Sequence, residues 1–291
     1  MAQDKEAPLQ EHLIELLERL RRMLIALIIS SMMPFVTPDP NALSGGSAYR
    51  PIIFLIMNRI REDMTNVNNP VVRPIASFLG IDRMEVELIA YSWIDSIEVL
   101  LLVSLLTGAI ISSPYIAKQI YGFIEPALLE REKRILIPFA LGFIVLFACG
   151  VAYAYLVVLP LTVFFLSLIY MASGVRLMFS IQQFFSFIIV GILIVGLFFT
   201  FPLIVAILSY LDLITPSTIK RNWRYLFLAM LILTAVITPD PTPVSMLILS
   251  IPFLVLYWLS YLLAKRFHGS RSGAAPPEIP LTRSELLSGS E

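Results

Sequence analysis

Three carboxylates stand directly in front of the first long apolar run of the chain. The stretch EHLIELLERLRR, residues 11–22, carries three arginines together with Glu11, Glu15 and Glu18. In a helix, Glu15 would pair with Arg19 and Glu18 with Arg22, and each such pair contributes only about 0.2–0.5 kcal/mol. These carboxylates either form a solvated helix face or bind a cationic group, because a carboxylate accepts the parallel N–H donors of a guanidinium.

A second acidic stretch, SPYIAKQIYGFIEPALLEREKR, occupies residues 113–134. Pro126 interrupts it, and its acids are Glu125, Glu130 and Glu132. Basic residues in a cytoplasmic loop help to orient a membrane protein, whereas acidic residues contribute little to orientation. The acids are therefore either surface solvation or, again, ligands for a cation.

The composition indicates a polytopic membrane protein. Hydrophobic residues make up 58% of the 291 residues, charged residues only 14%, and the mean hydropathy is +0.84. Soluble domains carry about 25% charged residues. The formal net charge of zero argues against a nucleic-acid partner, and the single cysteine, Cys149, cannot form an internal disulfide or a cysteine-based metal site.

Apolar runs long enough to cross a bilayer, roughly 20 residues each, predict six spanning helices with an all-α fold. The predicted spans are residues 23–41, 97–117, 135–159, 184–211, 223–237 and 244–264. Pro160 is expected to end the third span, and residues 159–183 are predicted to be an interfacial connection rather than a seventh span.

The fifth and sixth predicted helices are short. They are joined by TPDPTP, residues 238–243, whose prolines cannot continue a helix. The fifth then has about 15 residues and a length of about 22 Å, less than the ~30 Å hydrocarbon core. A short span is accommodated by local thinning of the bilayer.

The positively charged residues predict that both termini are cytoplasmic. With six spans, fifteen of the 21 Lys and Arg residues fall on the side of the N-terminus and six on the other side, as the positive-inside rule requires. The long external segment 42–96 is predicted to form a cap with short helices in residues 50–60 and 73–81. Residues 1–265 form one membrane domain, and the Ser-, Gly- and Pro-rich segment 266–291 is predicted to be a disordered cytoplasmic tail.

Four collinear stretches of the chain resemble one known family. They are HLIEL with ERL in residues 12–20, PYIAKQIYGFIEPALLEREKR in 114–134, FACGVAYAYLVVLPLTVFF in 147–165, and RNWRY with ITPDP in 221–241. Together they resemble TatC, the multispanning subunit of the twin-arginine protein translocase. The resemblance covers roughly residues 8–265.

The resemblance implies a cupped, glove-like arrangement of six helices in the cytoplasmic membrane of a prokaryote. It implies a core receptor that binds the paired arginines of signal peptides and helps to move folded proteins across the membrane. The implied partners are twin-arginine signal peptides of folded cargo, single-span TatA- or TatB-like subunits, the lipid bilayer and further copies in a multi-subunit complex. No cofactor and no nucleic acid are implied.

The family motifs also imply site residues. The signal-contacting acids fall on Glu15 and Glu132, with Phe123 beside them; Arg19 matches a family base, and Pro51 a proline of the cap. Charge-assisted bonds between a guanidinium and a carboxylate contribute about 1.5–3 kcal/mol each.

Three positions depart from the family pattern. Leu17 replaces an arginine in HLxELRxRL, and Thr200 replaces a glutamate that many members carry in the membrane groove. The turn TPDPTPVSM, residues 238–246, is one residue longer than the family's, so Asp240 is only approximately equivalent to its acid. Met246 replaces the glutamine expected to contact a partner subunit.

Two other classes of protein fit the sequence less well. A secondary transporter of a small solute usually carries ionisable residues or broken helices at the midplane, and Pro202 alone favours that alternative. An enzyme is not expected, because the chain lacks HExxH and GxSxG motifs and its two histidines, His12 and His268, lie outside the predicted spans.

Overall fold

The fold is known from a computed structural model that describes residues 9–40, 49–81, 84, 86–125, 136–174, 178–210, 214–225, 227–228, 232 and 243–267. Its helices are α1 (Leu9–Val36), α2 (Ile52–Thr65), α3 (Arg73–Phe78), α4 (Trp93–Ile124), α5 (Leu136–Tyr153), α6 (Leu159–Ala172), α7 (Ile181–Phe199), α8 (Phe201–Tyr210), α9 (Pro216–Arg221) and α10 (Pro243–Phe267). Two strands, β1 (Glu87–Ile89) and β2 (Met178–Ser180), accompany them.

Three described helical stretches are long and apolar enough to cross a membrane. They are Trp93–Phe123, Ile137–Ala172 and Ile181–Ser209, with mean hydropathies of 2.1, 2.4 and 2.9. The first contains the predicted second span, and the other two cover most of the predicted third and fourth spans. The predicted fifth span, residues 223–237, lies mostly outside the described residues.

The sequence predicted that the third span ends at Pro160, but the helix continues past this residue. Residues Ala154–Val158 widen into a π-helical segment, and α6 begins at Leu159 with Pro160 in its first turn. Proline is tolerated there because the first N–H groups of a helix have no partner within the helix. Residues 159–172, predicted to be an interfacial connection, are therefore helical, and many of their side chains are buried.

The end of the first helix, α1, and the length of the last helix, α10, also differ from the prediction. Helix α1 ends at Val36, well before residue 41, because Pro38 disfavours helical geometry at Thr37. Helix α10 has 25 residues, which is about 37 Å at 1.5 Å per residue and exceeds the ~30 Å hydrocarbon core. The prediction of a short sixth helix is therefore wrong.

The strands are a further departure from the all-α prediction. β1 and β2 pair in parallel over three residues, with Leu88 opposite Phe179. They tie the segment before α4 to the segment before α7.

The helices approach closely where glycines face a neighbouring helix. A Cβ atom on Gly108 of α4 would lie 2.1 Å from Ser31 Oγ and 2.7 Å from the Ser31 backbone nitrogen in α1. A Cβ atom on Gly150 of α5 would lie 2.7 Å from Phe199 Cβ in α7. Small residues permit such close helix packing in membrane proteins.

Helix α2 is held against the spanning helices by buried apolar residues and by a polar link. Ile53, Ile60 and Met64 are at most 3% exposed. The Tyr155 hydroxyl, in the π-helical segment, donates a hydrogen bond to Asp63 Oδ2 at 2.6 Å, and Arg59 Nε lies 3.3 Å from the same oxygen. The segment between the predicted first and second spans is thus anchored to the π-helical continuation of α5.

Tyr155→Phe is expected to destabilise the protein by about 1–2 kcal/mol, because a hydrogen bond to a charged group contributes about 1.5–3 kcal/mol and water reaches the partly exposed Asp63. The midpoint of thermal unfolding in detergent would measure it. Tyr170→Phe is the control, since Tyr170 is 42% exposed. Equal midpoints for the two variants would contradict a stabilising role for the Tyr155–Asp63 bond.

Candidate functional site

Glu15 and Arg19 form a pair on one face of α1. Arg19 Nε and Nη2 both donate to Glu15 Oε1, at 3.0 Å and 2.6 Å. The side chains of Arg19 and Glu15 are only 21% and 34% exposed. The spacing of four residues places both on the same helix face, as predicted.

The neighbouring pair, Glu18 and Arg22, is a useful comparison. Its ion pair has the same 2.6 Å length, but the side chains are 59% and 53% exposed. Exposed pairs of this kind contribute little to stability. The two pairs have the same spacing in the sequence. In the structure, Glu18–Arg22 is solvated, whereas Glu15–Arg19 is partly buried.

Gly122 of α4 explains why Arg19 is partly buried. A Cβ atom at Gly122 would lie 2.2 Å from Arg19 Nη1 and 3.1 Å from Arg19 Cζ. The guanidinium therefore occupies the space that any other side chain at position 122 would fill. Gly122 was not predicted as a site residue, although a glycine inside a helical pattern, next to Phe123, was an available indication.

Gly122→Ala is expected to displace the Arg19 guanidinium and to release Glu15 from its present orientation. The affinity for a peptide bearing two adjacent arginines would change by about threefold or more, with the thermal midpoint nearly unchanged, because the displaced group is the end of a flexible side chain. Isothermal titration on the purified protein would measure this change. Gly80→Ala is the control, since a Cβ atom on Gly80 would have no other atom within 4 Å.

The remaining residues of the second acidic stretch are described only in part. Phe123 is 36% exposed at the end of α4, directly after Gly122. Glu125 caps α4 at its C-terminus. Glu132 lies in residues 126–135, outside the described residues, so its approach to Glu15 stays a prediction.

Pro51 does not lie near Glu15. It precedes α2 and pairs with Pro38 beyond the C-terminal end of α1, where the Ile52 N–H donates to Thr37 O at 2.9 Å. The length of α1 between Glu15 and Val36 separates the two sites by about 30 Å at 1.5 Å per residue. Glu15 and Pro51, both predicted to bind the signal peptide, thus lie toward opposite ends of α1.

An apolar groove of about 190 Å³, here called the Thr200 groove, lies between α4, α5, α7 and α8. Tyr121, the neighbour of Gly122, lines it together with residues of α5, α7 and α8, including Phe139, Phe143, Leu197 and Leu203. Thr200 is 1% exposed, and its hydroxyl donates to Leu197 O at 2.7 Å. The groove is therefore an apolar surface, and none of its described lining residues is charged.

The predicted contact of Asp240 and Met246 with a partner subunit stays a prediction. Asp240 lies outside the described residues, and Met246 lies in the first turns of α10. Within the described part of the chain, no group of three or more His, Cys, Asp or Glu side chains is arranged to hold a metal ion.

Comparisons with known proteins agree on one family. The family model described as "Sec-independent protein translocase protein (TatC)" matches residues 11–252. The TatC protein of Aquifex aeolicus is 32% identical over 259 residues, which cover 89% of this chain and 95% of that protein. TatCy of Bacillus subtilis is 27% identical over 213 residues, covering 72% and 84%.

A solved structure agrees in fold as well as in sequence. The crystal structure of a twin-arginine translocase receptor, TatC, superposes with a TM-score of 0.66 at 30% identity, covering 88% of this chain and 99% of that one. A second crystal structure of the receptor, in the detergent DDM, has a TM-score of 0.68.

Proposed function

The chain belongs to the TatC family of Sec-independent protein translocases, and from that premise we propose that it is the subunit that binds the paired arginines of signal peptides. As a member of the family it is a membrane protein of a multi-subunit translocase. No catalytic activity is proposed for it. The alternative of a small-solute transporter finds no support among these relatives.

The observation that carries the proposal is the partly buried Glu15–Arg19 pair, whose guanidinium lies against Gly122 of α4. Glu15 is 34% exposed, so a cation can reach it, and partial burial strengthens an ionic contact relative to a fully solvated one. A carboxylate offers about four lone-pair sites. An incoming guanidinium can therefore share Glu15 with Arg19 or replace it.

We infer that the second signal-peptide arginine binds Glu132. Two carboxylates suit two guanidinium groups, and lysine does not reproduce the fork geometry of arginine. Phe123, at the end of α4, would offer an aromatic face to a guanidinium. The approach of Glu132 to Glu15 is part of this proposal.

The Thr200 groove would receive the apolar segment that follows the arginines in a signal peptide. Tyr121, which precedes Gly122 in the chain, is one of its lining residues, and the lining is almost entirely apolar. Because Thr200 cannot carry a charge, this groove would not depend on an ionised group at that position.

The proposed topology has six spans in a glove-like arrangement, with both termini cytoplasmic and α2 and α3 on the outer side. Single-span TatA- or TatB-like subunits would be partners, with Asp240 and Met246 near their contact. The short fifth span would thin the bilayer beside them. Pro51, at the outer end of α1, would support the cap rather than touch the arginines.

Binding of matched peptides to the purified full-length protein tests the function. A peptide with two adjacent arginines should bind at least about tenfold more tightly than its twin-lysine counterpart, because lysine loses the bidentate contact. The affinity should also fall as salt is raised, since a partly exposed ionic site is screened. Equal affinities for the two peptides would refute the proposed recognition.

A further inference from the structure

A second groove lies between α2, α4 and the α5–π-helical stretch, and it is here called the Arg59 groove. Its volume is about 470 Å³, within the roughly 300–1,000 Å³ of small-molecule sites. Aliphatic side chains form much of its wall, among them Leu55, Ile60, Leu106, Ile110, Val151 and Leu156.

The polar atoms inside the Arg59 groove are largely occupied within the protein. The Thr107 hydroxyl shares its one proton between Val103 O and Ser104 O, and the Ser113 hydroxyl donates to Ile110 O. The Tyr155 hydroxyl donates to Asp63. The wall therefore offers a ligand apolar contact rather than hydrogen bonds.

Among the described residues that line this groove, Arg59 is the only charged one, and its side chain is 69% exposed. Its ion pair with Asp63 uses Nε, while a guanidinium carries four further N–H donors on its two Nη atoms. Planar Arg donors match phosphate oxygens well. The groove thus combines an apolar wall with a phosphate-binding group at one end.

The depth of the groove corresponds to one leaflet of a bilayer. Along the α5–π-helical stretch it extends from Leu156 to Phe147, which is about 13 Å at 1.5 Å per residue. Half of a ~30 Å hydrocarbon core is about 15 Å. A spanning helix needs about twice this length, whereas an acyl chain crosses only one leaflet and fits the length of the groove.

Two stacked rings mark the inner limit of the Arg59 groove. Phe147 lines this groove and Phe143 lines the Thr200 groove, and their ring centroids are 6.2 Å apart with an interplanar angle of 4°. The described linings of the two grooves share no residue, so a ligand of the Arg59 groove need not enter the other.

We propose that the Arg59 groove binds one phospholipid, with an acyl chain in the groove and the phosphate at Arg59. The inference rests on the proposed topology, which places α2 at the outer membrane surface where the headgroups lie. Charge complementarity between Arg59 and the phosphate, the apolar wall and the one-leaflet depth all favour this occupant. The lipid would pack α2 against α4 and α5 and so complete the external cap.

Native mass spectrometry of the delipidated full-length protein, titrated with palmitoyl-oleoyl phosphatidylglycerol, tests the proposal. Ala148→Phe fills the groove and should weaken the tightest lipid-binding step about tenfold, whereas Cys149→Phe adds the same ring at the adjacent exposed position and should not. Arg59→Gln should weaken it about threefold, whereas Arg61→Gln, exposed on the same helix, should not.

Equal lipid affinity in wild type and all four variants would mean non-specific annular lipid and would overturn the proposal. Competition of a signal peptide with the lipid for this groove would also overturn it, since the occupant would then be the peptide. Twin-arginine peptide binding, measured on the same samples, should be unchanged by Ala148→Phe. If no variant changed the lipid affinity while the protein bound the peptide normally, only the lipid site would be refuted. If the variants changed the lipid affinity as expected but the protein did not bind the peptide, only the proposed receptor function would be refuted.

Discussion

Glu15→Gln is expected to lower the affinity of the full-length protein for a twin-arginine peptide by at least about tenfold. A charge-assisted hydrogen bond contributes about 1.5–3 kcal/mol, and a factor of ten corresponds to about 1.4 kcal/mol. Glutamine keeps the size of the side chain but supplies neither the charge nor the two equivalent oxygens. Fluorescence anisotropy with a labelled signal peptide would measure the affinity, and cargo export in cells should fall in parallel.

Glu18→Gln is the matched control for this experiment. Glu18 lies on the same helix and forms an ion pair of the same length, but it is 59% exposed. Its replacement should leave peptide affinity nearly unchanged. If Glu18→Gln and Glu15→Gln weakened binding equally, general electrostatic attraction would explain binding and the specific role of Glu15 would be lost.

Glu132→Gln should produce a loss similar to that of Glu15→Gln, and the double variant addresses whether the two carboxylates act on one ligand. If both hold the same twin-arginine peptide, their effects should not simply add, because neighbouring groups that share a ligand couple. Additive losses would place them in independent sites. The measurement does not depend on the resting distance between the two residues.

Gly108→Ala is expected to destabilise the packing of α1 on α4. The added methyl group would lie 2.7 Å from the Ser31 backbone nitrogen and 2.8 Å from Ser31 Cα, and backbone cannot move aside as a side chain can. Overpacking of this kind costs about 1–3 kcal/mol. The midpoint of thermal unfolding, recorded in one detergent at a fixed heating rate, should therefore fall by several degrees.

Gly191→Ala is the control for the effect of adding a methyl group to a helical glycine. Its Cβ would first meet Leu159 Cδ2, the end of a side chain, at 3.1 Å. A smaller fall in the midpoint is expected.

Gly108→Ala should also weaken peptide binding, because moving α1 away from α4 separates Arg19 from Gly122. An unchanged midpoint together with unchanged binding would show that the close crossing of α1 and α4 is not required.

The membrane character and the family followed from the sequence with little ambiguity. In lipid, a helix satisfies the backbone hydrogen bonds of an apolar run of about 20 residues within the run itself. The described structure has such helices at the second, third and fourth predicted positions. The motif from Phe123 to Glu132 indicated the family, which the match over residues 11–252 confirmed. Helix ends were less predictable: Pro160 was expected to stop a helix that instead widens into a π-helical segment and continues.

The sequence by itself determined that Glu15 and Arg19 would lie on one helix face, because a spacing of four residues is close to one helical turn. It could not distinguish that pair from Glu18 and Arg22, which have the same spacing. Only the tertiary structure made the distinction, by bringing Gly122 of α4 against Arg19. The burial of a side chain depends on which helix packs beside it, and that contact joins residues about a hundred positions apart, beyond the reach of any local pattern.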